Sequence, residues 1–275
     1  MSQYIIQEET LTSIADAIRA KTGSTDAMTP GTMATAISEI NTDGNTDIED
    51  GIITRNITEY SNDRVDEIGD YAFYRCGWLT TVNLPLVTTI YEYAFYGCDR
   101  LKSFNAPELY TIYSYAFQDS NISSFYIPKA RQIGTYAFSR NESIRTIVLP
   151  AATSLGGSSF SNCPKLTRVD FYSTLTIASF CFVSCYSLTA LILRSETICT
   201  LKNTNAFNVC YHILGTTNST YNPNGDKDGY IYVPSALVES YQAATNWSNY
   251  ATQFRALESY TVDGTIMGEL DSTKI

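Results

Sequence analysis

Phe73, Phe95, Phe117, Phe138, Phe160, Phe182 and Phe207 recur at steps of 22, 22, 21, 22, 22 and 25 residues, each inside the same local phrase. The phrase reads Ile-x-x-Tyr-Ala-Phe-x-x-Cys-x-x-Leu-x-x-apolar-x-apolar-Pro. It is nearly complete from Ile68 to Pro85 and from Ile90 to Pro107, and it stays traceable through Leu155 and Ile177. A fixed period in the low twenties marks a solenoid, because so short a unit cannot bury its apolar face alone and must stack on its neighbours. The functional question therefore turns to extended surfaces rather than to pockets.

Inside each repeat, Leu79-x-x-Val82-x-Leu84 alternates like a strand with one buried face. The equivalents are Leu101/Phe104/Ala106, Ile122/Phe125/Ile127, Ile144/Ile147/Leu149, Leu166/Val169/Phe171 and Leu188/Leu191/Leu193. Pro85, Pro107, Pro128 and Pro150 end these strands, since proline cannot donate to a following ladder. The Ile-x-x-Tyr-Ala-Phe half has mixed spacing and predicts a tight turn or 3₁₀ segment on the opposite side. Each repeat inserts about five apolar side chains, and at roughly 1.5–3 kcal/mol apiece they offset the backbone entropy of the loops. In the seventh unit the strand residue due soon after Ile213 arrives only at Ile231, so Gly215 to Gly229 reads as a polar insertion.

The flanks differ in character. Residues 1–40 predict two short amphipathic helices, the first with Leu11, Ile14, Ala15 and Ile18 on one face, the second opened by Thr29-Pro30. With so few large apolar groups, this segment is expected to attach to a partner or to copies of itself. Residues 41–51 read as an acidic linker, 52–234 as the solenoid with its insertion at 215–229, and 235–258 as a helical C-terminal cap. Ile52, Ile53, Ile57 and Val65 are expected to supply the first strands of the solenoid. Residues 259–275 carry an Asp263-Gly264 turn signal and predict a hairpin. The fold class is an α+β solenoid.

A net charge of −10 argues against nucleic acid or an anionic membrane surface as partner. No run approaches the roughly 18 apolar residues of a membrane helix, and Met1 to Glu9 shows no secretory signal.

Five of the seven cysteines, Cys76, Cys98, Cys163, Cys185 and Cys210, fall three residues after the repeat phenylalanine, where Ser120 and Asn141 stand in other repeats. A slot that accepts Cys, Ser or Asn calls for a small buried polar atom facing loop backbone, not a disulfide or a metal. Cys181 replaces the alanine of Ala72, Ala94, Ala116 and Ala137, which points to size alone. His212 is the only histidine, which leaves Ser-His-Asp and Cys-His catalysis without partners. Asn222 to Gly229 alternates oxygen ligands, yet it lacks the distal glutamate of a calcium loop and reads as a turn-rich segment. No catalytic residue, metal or cofactor is expected. Of the 21 tyrosines, Tyr71, Tyr93, Tyr115 and Tyr136 share one slot and predict half-buried packing with the hydroxyl in water.

Recognition is expected on the strand face, which is continuous and not needed for packing. Its candidate ligand-binding residues are Asn83, Ser103, Asn105, Ser124, Tyr126, Thr146, Arg168, Asp170 and Tyr232. Thr81, Val148, Ala190 and Ile192 share that face, and the last three make its later part less polar, as a subunit interface would be. Hydrolysis of a surface polymer would need converging acids, and Asp170 is the only acid there.

Through the Tyr-Ala-Phe-x-x-Cys-x-x-Leu-x-x-Val-x-Leu-Pro phrase, residues 65–234 resemble the BspA-like leucine-rich repeat family. That resemblance implies short strands on one face of a solenoid, and a bacterial or protist surface protein that binds host matrix or other cells. Residues 4–40, with Leu-Thr-Ser-Ile-Ala-Asp-Ala-Ile-Arg-Ala-Lys-Thr-Gly and Met-Thr-Pro-Gly-Thr-Met-Ala, resemble a segment at the start of phage and prophage tail-region proteins. Together these imply a non-enzymatic virion adhesin, in a tail fibre or baseplate, with a bacterial surface glycan or protein as ligand. Residues 1–40 would join other virion proteins in a homo-oligomer, a trimer being favoured, and assembly in the cytoplasm agrees with the missing signal. The alternative is a bacterial cell-surface adhesin of the same repeat family.

Overall fold

A computed structural model describes residues 57–214 and 224–259, together with the backbone of the short strands Thr261–Val262 and Thr265–Ile266. The expected helices of 1–40, the linker, Ile52, Ile53, residues 215–223 of the insertion and the Asp263-Gly264 turn lie outside the described residues. The two tail strands pair antiparallel, Thr261 opposite Ile266.

Each repeat contributes to two parallel ladders. In the first, the predicted strands Thr81–Asn83, Ser103–Asn105 and Ser124–Tyr126 join Glu59–Ser61 in one four-stranded sheet, Glu59–Ser61 lying between Ile57 and Val65 rather than on them. Thr146–Leu149, Arg168–Phe171, Ala190–Leu193, Tyr230–Val233 and Phe254–Ala256 form a separate five-stranded sheet. Repeat slots stay in register, with Val82 opposite Phe104 and Val169 opposite Leu191. The late strand of the seventh unit falls where its pattern requires, Leu191 opposite Ile231.

The second ladder was not visible in the sequence. Two-residue strands from Glu67–Ile68 to Thr200–Leu201 build a seven-stranded parallel sheet at the start of the half expected to be a turn. Its inward residues, Ile90, Ile112, Ile133, Leu155 and Ile177 among them, are buried, while their predecessors face outward. Two residues are too few for alternation to register as a period.

The turn that follows holds the stack together. Phe73 N donates to Ala94 O (2.7 Å), Phe95 N to Ala116 O (2.7 Å), Phe117 N to Ala137 O (2.7 Å), and the series continues through Phe182 N to Ala206 O (2.8 Å). The intervening amides turn inward, as in Tyr74 N to Tyr71 O and Cys76 N to Phe73 O. This alternation places positive φ two residues either side of the phenylalanine: Tyr93 (57°) and Gly97 (68°), Tyr115 (61°) and Asp119 (56°), Tyr136 (56°) and Arg140 (59°). The rings stack directly, Phe95 on Phe117 at 5.1 Å and Phe117 on Phe138 at 5.0 Å, within 5° of parallel. The residue before each phenylalanine must be small, and Ala94, Ala116 and Ala137 are fully buried.

All seven cysteines are free and buried. In the repeat slot the thiol donates to the phenylalanine carbonyl of the preceding repeat, Cys98 Sγ to Phe73 O (3.1 Å) and Cys185 Sγ to Phe160 O (3.1 Å). Burial pushes the thiols of Cys181 and Cys210 up to about 12, so both stay protonated and unreactive at neutral pH.

The exceptions to this slot explain the 21-residue step. One residue is missing between Phe117 and Ile122, and Ser120 is too short to reach back, so it bonds Phe117 O within its own turn. Asn141 replaces what is lost. Its Nδ2 donates to Phe117 O (2.9 Å) and Phe138 O (3.1 Å). Its Oδ1 accepts from Ile122 N (3.0 Å), an amide whose counterparts at Leu79 and Leu101 bond the carbonyl of the cysteine slot. The first ladder breaks in the same place, since Ser124–Tyr126 does not pair with Thr146–Leu149.

The C-terminal cap differs from the expected helix pair. A 3₁₀ turn leads into the helix Val238–Ala243, a second 3₁₀ segment spans Trp247–Gln253, and Phe254–Ala256 then joins the sheet beside Tyr230–Val233. Its aromatic residues carry polar tips to the backbone flanking the edge strand Thr200–Leu201. Tyr241 Oη accepts from Cys199 N (2.8 Å), Trp247 Nε1 donates to Cys199 O (2.7 Å), and Tyr250 Oη donates to Thr204 O. Asn246 Nδ2 donates to Leu201 O (2.7 Å) on the strand itself, so the cap covers an edge that would otherwise template aggregation.

Replacing Asn141 by alanine strands the buried Ile122 amide, while the Phe117 carbonyl keeps its bonds from Ser120. Urea unfolding should show a loss of about 1–3 kcal/mol, and Asn141→Cys should not restore it, because a thiol cannot accept and donate across both neighbours.

Candidate functional site

The outward residues of the first ladder divide into an open and a closed half. In the open half, Ser103, Ser124, Tyr126 and Thr146 are exposed, and Asn83 and Asn105 are half-buried. The asparagines form an amide column along the stack: Asn105 Nδ2 donates to Asn83 Oδ1 (2.6 Å), and Asn83 Nδ2 to Ser61 Oγ (3.1 Å). The column stops at Tyr126, whose ring is 45% exposed. The structure thus brings the uncharged side chains of Asn83, Ser103, Asn105, Ser124 and Tyr126 onto one sheet surface, with exposed Glu59 at its first strand and Thr146 beyond the break between sheets.

In the closed half, three of the expected ligand residues are engaged in internal contacts. Asp170 is fully buried, held by Arg194 Nε on Oδ1 (2.8 Å), Arg194 Nη2 on Oδ2 (3.1 Å) and Arg168 Nη2 on Oδ2 (2.7 Å). A carboxylate enclosed by two guanidiniums is a structural ion pair, because exposing it to a ligand would leave buried charge unpaired. Arg194 also lies over the Tyr172 ring at 4.9 Å. Arg168 is committed to Asp170, and Tyr232 packs half-buried against Ala190, Ile192 and Leu257. The apolar drift of this face therefore meets the protein's own C-terminal segment. Alternation in the sequence assigns residues to a face, but it does not say what covers that face.

Three tyrosine columns line the turn side, a surface expected to be mere packing. Tyr71, Tyr93, Tyr115 and Tyr136 stack at 4.9, 4.7 and 5.1 Å, Tyr74 stacks on Tyr96 at 5.2 Å, and Tyr91 on Tyr113 at 5.1 Å. Tyr93 and Tyr115 are half-buried as expected, whereas Tyr71 and Tyr136, at the two ends of the column, are exposed. Near the N-terminal end, Arg100 lies over the exposed Trp78 ring at 3.9 Å. Sequence reasoning missed Trp78 and Tyr113, whose signal was an aromatic residue outside the repeat phrase.

His212 Nδ1 sits 2.6 Å from Asp228 Oδ1, which uses one of the oxygens considered for calcium. Asn224 and Asp226 bond each other at 3.3 Å, and Asn222 is outside the described residues. Among the described residues no group of three or more His, Cys, Asp or Glu side chains could hold a metal ion, and no helix is long and apolar enough to cross a membrane.

A family profile described as "BspA type Leucine rich repeat region" matches six copies, over residues 34–141, 66–189 and 110–220. A search of curated protein sequences returned no match. Among solved structures, a leucine-rich repeat protein from Bacteroides ovatus is 30% identical over 52% of this chain, with a TM-score of 0.46. This chain covers 40% of that protein's length. The Leucine Rich Repeat protein of T. pallidum is 26% identical over 54% of this chain and 77% of its own, with a TM-score of 0.47. The repeat phrase, the paired parallel ladders and the profile match over most of the solenoid place this chain in the BspA-type leucine-rich repeat family.

Proposed function

We propose that this chain is a non-enzymatic recognition protein of a bacterial cell surface, an adhesin that holds a glycan or protein ligand on the open half of its strand face. The observation that carries this reading is the uncovered polar run of Ser103, Asn105, Ser124 and Tyr126 on a sheet whose packing does not need those side chains, with exposed Thr146 on the neighbouring sheet. Rigid backbone lowers the ordering cost of binding, and short hydroxyl and amide side chains supply contacts with little rotamer entropy to lose. Weak single contacts would be multiplied where many copies are displayed.

The double substitution Ser103→Lys/Ser124→Lys places bulk and charge in the middle of this surface without touching the core. Fluorescently labelled chain should lose binding to intact bacterial cells by about tenfold or more, as for central interface positions, with an unchanged melting temperature. Undiminished binding by a folded double variant would remove the strand face from recognition.

A virion location, in a tail fibre or baseplate, is the second reading, favoured by the tail-protein resemblance of residues 4–40. Light scattering separates the two. A trimer or other closed oligomer for the full chain, against a monomer for a version starting at Asp50, supports virion assembly through residues 1–40. Monomers in both cases support the surface adhesin.

A further inference from the structure

The column of Tyr91 and Tyr113 ends abruptly. The two rings are 5.1 Å apart and within 3° of parallel, so Tyr91 covers one face of Tyr113. The same slot in the next two repeats holds Gly134 and Gly156. Neither position accepts a side chain: a Cβ on Gly134 would lie 2.5 Å from Tyr113 C and 2.6 Å from Ser114 N, and one on Gly156 would lie 2.6 Å from Thr135 N. Close backbone approach therefore stops the column, and among the described residues no aromatic ring stacks on the second face of Tyr113, which is 42% exposed. Tyr113 and Gly134 both line an open depression of about 370 Å³, within the range of small-ligand sites. Thr111, Ser114, Gln132 and Ser154 bring hydroxyl and amide groups to it, and no charged residue lines it.

These features specify a ligand. An aromatic face carries a partial negative charge that attracts polarised C–H groups. Hydroxyls and a carboxamide, each both donor and acceptor, match a molecule carrying many hydroxyls. Without charge in the lining, and with a net charge of −10 on the chain, an anionic ligand would find no counter-ion there. A flat C–H face, several hydroxyls and no charge together describe a pyranose. We propose that this depression is a subsite for one neutral sugar residue of a glycan, with the pyranose C–H face stacked on Tyr113 and its hydroxyls bonded by Gln132, Ser114 and Ser154. The site lies on the seven-stranded sheet, not on the first ladder, so it goes beyond the strand-face reading and can fail separately from it.

The test is binding of the full chain to an array of neutral glucose-, galactose- and mannose-terminated oligosaccharides, with sialylated and sulfated glycans as charged counterparts, followed by titration of the best neutral binder. The wild type should bind neutral glycans in preference to charged ones. Tyr113→Ala should weaken the best interaction by about tenfold, the scale of losing one aromatic contact and its buried area. Gln132→Ala should also weaken it. Tyr91→Ala, which removes the same stacked pair from the other side, should change it far less, and so should Ser103→Lys/Ser124→Lys. Absence of neutral-glycan binding by the wild type, or equal losses from Tyr91→Ala and Tyr113→Ala, would overturn the subsite. If cell binding persists while neutral-glycan binding is absent, the subsite falls and the strand face stands; if Tyr113→Ala alone abolishes cell binding, the reverse holds.

Discussion

The interaction on which everything else depends is the bond from each repeat phenylalanine's N–H to the carbonyl just before the next phenylalanine. It runs unbroken from Phe73 to Ala206 at 2.7 to 2.9 Å. To present that N–H to a neighbour, the turn must alternate its amides between the next repeat and itself, which forces positive φ on either side. Non-glycine residues there cost on the order of 1–3 kcal/mol each and persist only where surrounding contacts over-determine them. The stacked rings, the fully buried alanines and the thiols reaching back to phenylalanine carbonyls supply that determination. One isolated repeat would carry the strain without any of these partners, so fold and stacking are inseparable.

Stacking also organises the surface. Any slot held constant over several repeats becomes a column, whether of tyrosines, asparagines or threonine hydroxyls on the backbone of the preceding repeat. Inside a column each side chain is partly used by its neighbours. Aromatic surface stays exposed where a column stops, at Tyr126 beside the sheet break and at Tyr113 next to Gly134. The end of the stack is treated differently, with Tyr241, Trp247 and Tyr250 spending their polar tips on the backbone that flanks the last edge strand. Exposed tyrosines can offer recognition; the cap tyrosines cannot.

Much of this was legible from residue spacing, for definable reasons. The phenylalanine period, the long strands and the late arrival of Ile231 each follow from one residue type recurring in one environment. The cysteine slot was legible because Ser and Asn substitute in it, leaving small size and polarity as the common property. The left-handed turn positions were not, because Tyr93, Tyr115 and Tyr136 are not residues that favour positive φ locally; the stack imposes it. Nor was the enclosure of Asp170, since Arg194 reaches it from the next repeat and Leu257 covers the neighbouring slots from far along the chain. Asn141 shows both sides: its slot was evident, but its compensation for the residue missing before Ile122 required the neighbouring backbone.

The most direct test of this account is native-state hydrogen exchange at the amides of Phe95, Phe117, Phe138 and Phe160. The account predicts that they exchange as slowly as strand amides such as Val169, because each is bonded to the next repeat. If they exchange at rates of solvent-exposed loop amides while the strands stay protected, the turn ladder does not hold the repeats together, and the stacking account fails.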